Sequence, residues 1–371
     1  MPLYLTEDQV MLRDTARQLM ADEGSIAGQL RKYRDMGCKD GFGHALWKQM
    51  AELGFTGILI GEADGGLGLG HVEAGIVLEE IGWNLTPSPF LISAVAVVEA
   101  LKGTPHAQRW FPGILSGETV AALAVDEGPK HRPEAIAMRA ERAGNGFRLT
   151  GRKQFVVQGA SADVIVVAAR TDEGLTLFAV EKEAKGLEVE GVRLVDSSIG
   201  ARLDFRDVEV NSDSVIGEVG GGEAVLGRVL DAGRAGAASE MVGLGSAAMA
   251  MTVDYLKQRK QFGRLIGEFQ VLQHRAAHLY SELEIARSAA LKAQQLLDEG
   301  SPDAEAMVSV AKAKAGRAST LAVQEGIQMH GGIGMTDEYD IGLYMKRDRA
   351  LNELFGDSNY HADKLARLKG Y

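Results

Sequence analysis

The sequence predicts an α+β protein with a helical N-terminal domain, a middle antiparallel β-barrel or sandwich, and a C-terminal four-helix bundle. Two changes of hydrophobic pattern predict this order. Apolar residues follow helical spacing to about residue 118, fall into short alternating runs from about Ala121, and return to steps of three and four after Gly222. A chain of 371 residues is long enough for several buried cores. We therefore expect domains at residues 1–118, 119–216 and 217–371.

The N-terminal third reads as helices. Thr6 followed by Gln9 is typical of a capping box at the start of a first helix. Apolar residues at steps of three and four predict further helices around Met50 and Val77, and two short ones between Leu91 and Trp110.

Short apolar runs separated by Gly, Asp and Asn predict the strands of the middle domain. Leu203, Phe205, Val208 and Val210 predict a strand with a bulge, because the alternation slips by one residue between Phe205 and Val208. No long helical pattern separates the runs, so we expect antiparallel rather than parallel pairing.

The last third predicts the bundle. Apolar residues recur at steps of three and four from Phe269 to Leu297, and Ser301-Pro302 predicts the start of the next helix. A final helix is expected from about Ile341, and short connections between the helices favour an antiparallel bundle.

Composition excludes several classes of function. The formal net charge of -11 argues against a nucleic-acid-binding face and against an anionic membrane surface as partner. The single cysteine, Cys38, cannot form an internal disulfide, which favours a reducing compartment. We see neither a signal peptide nor an apolar run of the roughly 20 residues that a membrane span needs. The expected location is cytoplasmic.

Two sequence patterns that suggest binding sites have simpler explanations. Three glycines, Gly66, Gly68 and Gly70, follow an apolar run, but their spacing does not match the GxGxxG motif of a dinucleotide-binding loop. His274, His278 and Glu282 lie at successive steps of four on one predicted helix, yet a solvated helix face explains them better than a metal site. We therefore predict no metal.

Two segments of the last third carry more information. In QRKQFG, Arg259 and Gln261 precede an aromatic residue and a glycine, Phe262 and Gly263, so a cation and a ring stand together at a chain turn. An arginine and an aromatic ring can grip a pyrophosphate and cover a ring system. In IQMHGGIGMTDEY, a glycine pair ends a helix.

Together with KRDRA and the N-terminal GEADGGLGL, these segments, in this order, resemble the acyl-CoA dehydrogenase family. The resemblance implies the fold of that family and FAD as cofactor, shared between two subunits. It places Arg259, Gln261, Phe262, Gln328, Gly331 and Gly332 in contact with the flavin nucleotide of a neighbouring subunit. Phe155, Val157 and Ser358 would face the chain's own flavin, and Arg234 would contact acyl-CoA.

The catalytic carboxylate expected from the resemblance is missing. One family position for this glutamate corresponds to Gly356, and the other, just before Arg234, corresponds to Gly233. A general base typically contributes about 100- to 10,000-fold to a rate. Asp357, one residue away, and Asp231 are weak substitutes.

A chain that keeps the residues for a neighbour's flavin but lacks the catalytic base is similar to the small subunits of heteromeric acyl-CoA dehydrogenases, such as the pimeloyl-CoA type. The resemblance implies an α2β2 assembly with a glutamate-bearing partner, and an electron-transfer flavoprotein as acceptor. The alternatives are a self-sufficient homotetramer, using Asp357 or an altered chemistry, and a flavin-free structural relative.

Overall fold

The computed structural model describes residues 3–371 and divides the chain into two compact units. The first unit comprises residues 3–31, 71–86 and 234–371, and the second comprises residues 32–70 and 87–233. No helix within residues 3–371 combines the length and apolar character required to span a membrane.

The N-terminal third is helical, as predicted. Its helices are α1 (Glu7–Asp22), α2 (Lys32–Asp35), α3 (His44–Glu52), α4 (His71–Asn84), α5 (Val98–Leu101) and α6 (Pro105–Ser116). The predicted capping box is confirmed, since the Thr6 side chain accepts from Gln9 N and the Gln9 side chain accepts from Thr6 N. A π-helical segment, Phe90–Val97, precedes α5 and is fully buried.

The second unit contains an eight-stranded sheet. Its strands are β1 (Ala121–Ala124), β2 (Arg139–Ala143), β3 (Gly146–Val157), β4 (Val164–Thr171), β5 (Gly174–Glu181), β6 (Leu187–Arg193), β7 (Ile199–Asn211) and β8 (Val215–Ile216). The order is β6-β7-β3-β2-β4-β5-β8, with β1 paired to β4. A row of inward-facing side chains forms its core, including Phe147, Phe178 and Phe205.

Two details of the sheet differ from the prediction. The path runs from β6 to β8 without returning, so the sheet is open rather than a closed barrel. Strand β1 pairs in parallel with β4, from Ala121 opposite Val164 to Ala124 opposite Val167, whereas antiparallel pairing was expected throughout. The bulge is confirmed, because the register between β3 and β7 shifts between Leu149 and Gly151.

The last third begins with α7 (Gly222–Gln258) and a short hairpin of β9 (Lys260–Gln261) and β10 (Arg264–Leu265). The helices α8 (Gln270–Asp298), α9 (Ala304–His330), α10 (Ile341–Glu353) and α11 (Ser358–Leu368) follow. The predicted start at Ser301-Pro302 lies two residues early, because the first helical residue is Ala304. The helix expected from about Ile341 begins there, but it is not the final one, because α10 ends at Glu353 and α11 follows a break.

Glycines allow α4 and α7 to approach at backbone distance. A Cβ on Gly82 would lie 2.0 Å from the carbonyl oxygen of Glu240, and a Cβ on Gly243 would lie 1.9 Å from that of Glu79. Only glycine fits these positions, so the contact between α4 and α7 depends on two residues that carry no side chain.

Candidate functional site

The hairpin after α7 places an aromatic ring in solvent. Phe262 and Gly263 form the turn between β9 and β10, and both have positive φ angles, 53° and 82°. Asn or Gly usually occupies such positions, and a bulky side chain there is strained. The Phe262 side chain is nevertheless 89% exposed, so burial within the chain does not compensate for the strain. Strain of this kind is concentrated at ligand-binding sites.

An arginine lies three residues before this ring in the sequence. Arg259 lies at the end of α7 and is exposed, as is Gln261. Among residues 3–371 the Arg259 guanidinium has no hydrogen-bond or ion-pair partner, whereas Arg264 on the opposite strand lies over the Phe269 ring at 4.2 Å. This part of the chain therefore carries both an exposed guanidinium and an exposed aromatic ring.

The glycine pair after α9 forms the second exposed element. Gly331 ends the helix with φ 65° and ψ −137°, and Gln328 on the last turn is exposed. A Cβ placed on Gly331 or on Gly332 would meet no atom within 4 Å. Within residues 3–371 no atom would clash with a side chain at Gly332, so the backbone of this turn is open and accessible.

A small apolar cluster joins the two elements. Leu256 near the end of α7, Ile266 after the hairpin and Met329 near the end of α9 pack together. Tyr255, Phe269 and Leu272 pack around them. The structure thus brings the hairpin with Arg259, Gln261 and Phe262 and the turn with Gln328, Gly331 and Gly332 to one end of the bundle.

The loop between α10 and α11 contains the expected base position, Gly356. Its φ angle is 104°, and a Cβ there would lie 2.4 Å from Cδ1 of Tyr360. Asp357, the weak substitute, is the N-cap of α11, because its Oδ1 accepts from the backbone N–H groups of Asn359 (3.0 Å) and Tyr360 (2.8 Å). Ser358 donates its hydroxyl to the Ala313 carbonyl at 3.2 Å.

Arg234 points to the same loop. It is only 2% exposed, and its Nε donates to the Phe355 carbonyl at 3.2 Å. Its guanidinium also donates to the Tyr360 hydroxyl at 3.3 Å and lies 5.6 Å from the centre of that ring. Gly233, the second expected base position, is buried on the same helix. Arg234 and Tyr360 together surround the place where the resemblance puts the carboxylate.

Sequence reasoning missed a buried lysine beneath this loop. The Lys312 ammonium donates to the carbonyls of Leu351 (2.9 Å), Asn352 (3.3 Å) and Gly356 (2.9 Å). Burial and the neighbouring Arg234 guanidinium lower the pKa of Lys312 to about 7. Its position on the apolar, alanine-rich face of α9 was the available signal, because a charged residue is almost never buried unless it has partners.

His361 lies in the same buried region. It is fully buried, and its Nε2 donates to the Phe355 carbonyl at 3.1 Å. Burial, reinforced by the Lys312 and Arg234 cations, lowers the pKa of His361 to about 2. The ring therefore stays neutral and holds the loop rather than transferring protons near neutral pH.

The remaining expected residues belong to the second unit. Phe155 has φ 53° and is 51% exposed, at a register irregularity of β3 between Lys153 and Val156. Val157, the last residue of that strand, is half-buried and has no polar atom to offer on its side chain. The structure thus keeps a strained, exposed ring at Phe155, as it does at Phe262.

The segment after β1 is held by an ion pair. The buried Lys153 ammonium contacts Glu127 at 2.7 Å and the Val125 carbonyl at 3.0 Å. Glu127 also accepts from the backbone N–H groups of Ala137 (2.8 Å) and Met138 (3.0 Å). The segment is therefore rigidly attached to β3.

Comparison with known proteins shows the family of the chain. Three family models match: Acyl-CoA dehydrogenase, N-terminal domain, over residues 6–118; middle domain, over residues 126–208; and C-terminal domain, over residues 220–369. Isovaleryl-CoA dehydrogenase, mitochondrial, from Solanum tuberosum is 34% identical, covering 83% of this chain and 78% of the relative.

Two solved structures share the fold over nearly the whole chain. A variant of the Tcur3481-Tcur3483 steroid ACAD is 28% identical, with a TM-score of 0.90 and 98% of each chain covered. The ChsE4-ChsE5 complex from Mycobacterium tuberculosis is 24% identical, with a TM-score of 0.91 and 100% of each chain covered. The chain belongs to the acyl-CoA dehydrogenase family.

Proposed function

We propose that this chain is a subunit of an FAD-dependent acyl-CoA dehydrogenase and completes the flavin site of a catalytic partner subunit. The reaction is the α,β-desaturation of an acyl-CoA thioester in the cytoplasm. One contrast carries the proposal. The hairpin and the glycine turn are open to a ligand, whereas the expected base position, Gly356, is closed by the Tyr360 ring, whose Cδ1 would lie 2.4 Å from a Cβ there.

The exposed residues fit a flavin nucleotide held between chains. The exposed guanidinium of Arg259 suits a pyrophosphate, and the uncovered Phe262 ring suits a planar ring system. The open backbone at Gly331 and Gly332 allows close approach of a ligand, since a Cβ there meets nothing. When bound, FAD supplies the hydride acceptor of the reaction.

The chain's own half of a flavin site fits less well. Val157 has no hydroxyl, and the Ser358 hydroxyl is donated to the Ala313 carbonyl. Phe155 alone, half exposed on a strained backbone, keeps a surface for a ring. This asymmetry supports an α2β2 assembly in which each chain of this type serves its neighbour.

Within residues 3–371, neither of the two positions expected for the base carries a carboxylate. Gly356 and Gly233 carry no side chain, and Asp357 already accepts two backbone hydrogen bonds as the cap of α11. A carboxylate that caps a helix is stabilised in its charged form, which makes it a weaker base. We assign the base to the partner, and we expect an electron-transfer flavoprotein as the electron acceptor.

One relative supports a two-chain enzyme with a steroid substrate. The steroid ACAD, whose name joins two proteins, is 28% identical to this chain. At 24% identity, the ChsE4-ChsE5 complex adds only that its fold is the same. By analogy with the steroid ACAD, we propose that the substrate is an acyl-CoA whose acyl group is a steroid side chain or another branched group.

Chain stoichiometry and flavin content of the native complex test the proposal. We expect affinity-tagged protein, isolated from its source organism, to carry a second chain of this family in a 1:1 ratio, with a glutamate at one of the two base positions. A homotetramer that contains FAD and is bleached by acyl-CoA would instead favour the self-sufficient enzyme. A complex without flavin would leave only an assembly role.

Substituting Arg259 tests the flavin contact directly. We expect Arg259→Ala to release flavin from the complex. Arg317→Ala, which removes an exposed arginine from α9, is the matched control and should retain it. Equal flavin content in the two variants would contradict the proposed contact.

A further inference from the structure

A stack of three aromatic side chains lies directly behind the exposed elements. His330, the last residue of α9, is 3% exposed. Its ring centre lies 4.4 Å from that of Tyr255 and 4.7 Å from that of Tyr339. These residues come from the end of α7, the end of α9 and the loop that leads to α10. We name them the aromatic stack.

Hydrogen bonds fix the protonation state of this stack. His330 Nδ1 lies 2.7 Å from the Gly326 carbonyl, so Nδ1 must carry the proton and donate. Nε2 is then an acceptor for the Tyr339 hydroxyl at 3.1 Å. Burial lowers the pKa of His330 and raises the pKa of Tyr339, which keeps both groups neutral.

The aromatic stack connects the hairpin to the glycine turn. Tyr255 lies one helical turn before Arg259, whose backbone N–H donates to the Tyr255 carbonyl at 2.9 Å. His330 directly precedes Gly331 and lies two residues after Gln328. A shift of the His330 ring would therefore move the turn relative to the end of α7, because the rings are in contact.

A second attachment holds the far side of the loop. Arg31 donates to Asp340 Oδ1 from Nε (3.0 Å) and from its second terminal nitrogen (2.7 Å). The same nitrogen donates to the Asp337 carbonyl at 2.6 Å. Tyr339 lies between these two acceptors in sequence. The loop is thus fixed on both sides, and the Tyr339 hydroxyl is placed to bond His330.

We infer that the aromatic stack of Tyr255, His330 and Tyr339 is a positioning device that holds the hairpin and the glycine turn in one fixed arrangement and thereby sets the affinity for flavin. None of the three is a catalytic residue, because they act through Arg259, Gln328 and Gly331. The inference rests on the proposed flavin contact. It holds for an α2β2 complex and for a homotetramer.

Two substitutions test the inference in the native assembly. Tyr339→Phe keeps the ring and removes only the hydroxyl, which leaves His330 Nε2 buried without its donor. Tyr255→Leu keeps the apolar volume and removes the ring. We expect each to raise the dissociation constant for FAD about five-fold or more, because Tyr339→Phe leaves a buried acceptor unpaired and Tyr255→Leu removes the ring that packs against His330. Tyr280→Phe, on an exposed tyrosine of α8, is the control and should leave the constant unchanged.

Amide hydrogen exchange gives a readout independent of flavin chemistry. We expect Tyr339→Phe to accelerate exchange both in residues 331–340 and in the hairpin, residues 259–266. Acceleration confined to residues 331–340 would overturn the coupling between the two elements. Unchanged FAD affinity in both variants, beside a wild-type assembly that binds FAD, would also overturn the inference. A wild-type assembly that binds no FAD would refute the proposed function itself, together with the affinity part of the inference.

Discussion

Replacing Gly356 with glutamate, which restores the family's base, is expected to destabilise this chain. The residue has φ 104°, a conformation that costs a side-chain-bearing residue roughly 1–3 kcal/mol. Its new Cβ would also lie 2.4 Å from Cδ1 of Tyr360, and forcing extra atoms into a packed site costs roughly 1–3 kcal/mol more. We therefore expect Gly356→Glu to lower the free energy of unfolding by about 2–6 kcal/mol.

Urea unfolding at pH 7 measures this loss, and a double-mutant cycle separates its two parts. Removing the ring by Tyr360→Ala should relieve the overlap but not the backbone strain. The double variant should therefore be less destabilised than the sum of the single variants by about 1 kcal/mol or more. Gly332→Glu, at a position where a Cβ meets nothing within 4 Å, is the control and should change stability little. A loss below about 1 kcal/mol for Gly356→Glu would refute the view that the site is closed.

Three further predictions concern a buried lysine, a glycine at a helix contact and an aspartate that caps a helix. The pKa of Lys312 is lowered from 10.5 to about 7, so the unfolded chain binds more protons between these values. Stability conferred by the neutral lysine is therefore lost as the pH falls through this window. In urea titrations between pH 8 and 10, wild type should gain about 1.4 kcal/mol per pH unit relative to Lys312→Met, and parallel curves would contradict this. Gly243→Ala should cost about 1–3 kcal/mol in thermal unfolding, because its Cβ would lie 1.9 Å from a carbonyl oxygen, whereas Gly227→Ala on the same helix should be neutral or stabilising. Asp298 accepts from the backbone N–H groups of His71 (2.7 Å) and Val72 (3.2 Å) at the start of α4. Asp298→Ala should therefore cost about 1 kcal/mol by urea unfolding, and an unchanged midpoint would rule out this capping role.

Local features of the fold were predictable from the sequence, and the reason is their short range. The Thr6–Gln9 capping box lies within four residues, and the bulge in β7 follows from one slip in an alternating pattern. The parallel pairing of β1 with β4 was not predictable in this way. Alternation shows which face of a strand is buried but not the direction of the strand beside it.

The site was predictable only where its residues are consecutive in sequence. The RKQFG and HGG segments carry their own turn chemistry, so Phe262, Gly263 and Gly331 could be singled out. The contacts of Arg234 with Phe355 and Tyr360 join residues more than 100 positions apart, through side chains whose types suggest no pairing. Lys312 was missed for the same reason. Its three carbonyl partners, in Leu351, Asn352 and Gly356, are free to accept its hydrogen bonds only because α10 ends at Glu353.

Gly356 and Gly332 differ in what requires a glycine at each position, and this difference indicates that the exposed elements bind a ligand or another chain. At Gly356 the positive φ and the Tyr360 ring both require glycine, and both causes lie within this chain. At Gly332 no Cβ contact arises within 4 Å, and φ does not lie in the left-handed region, so neither packing nor backbone geometry of this chain requires glycine there. A substitution such as Gly332→Ala should therefore stabilise the isolated chain slightly, because it reduces the entropy of the unfolded state. If the same change weakens FAD binding in the assembly, the requirement for glycine comes from outside the chain, as a bound nucleotide at this turn demands.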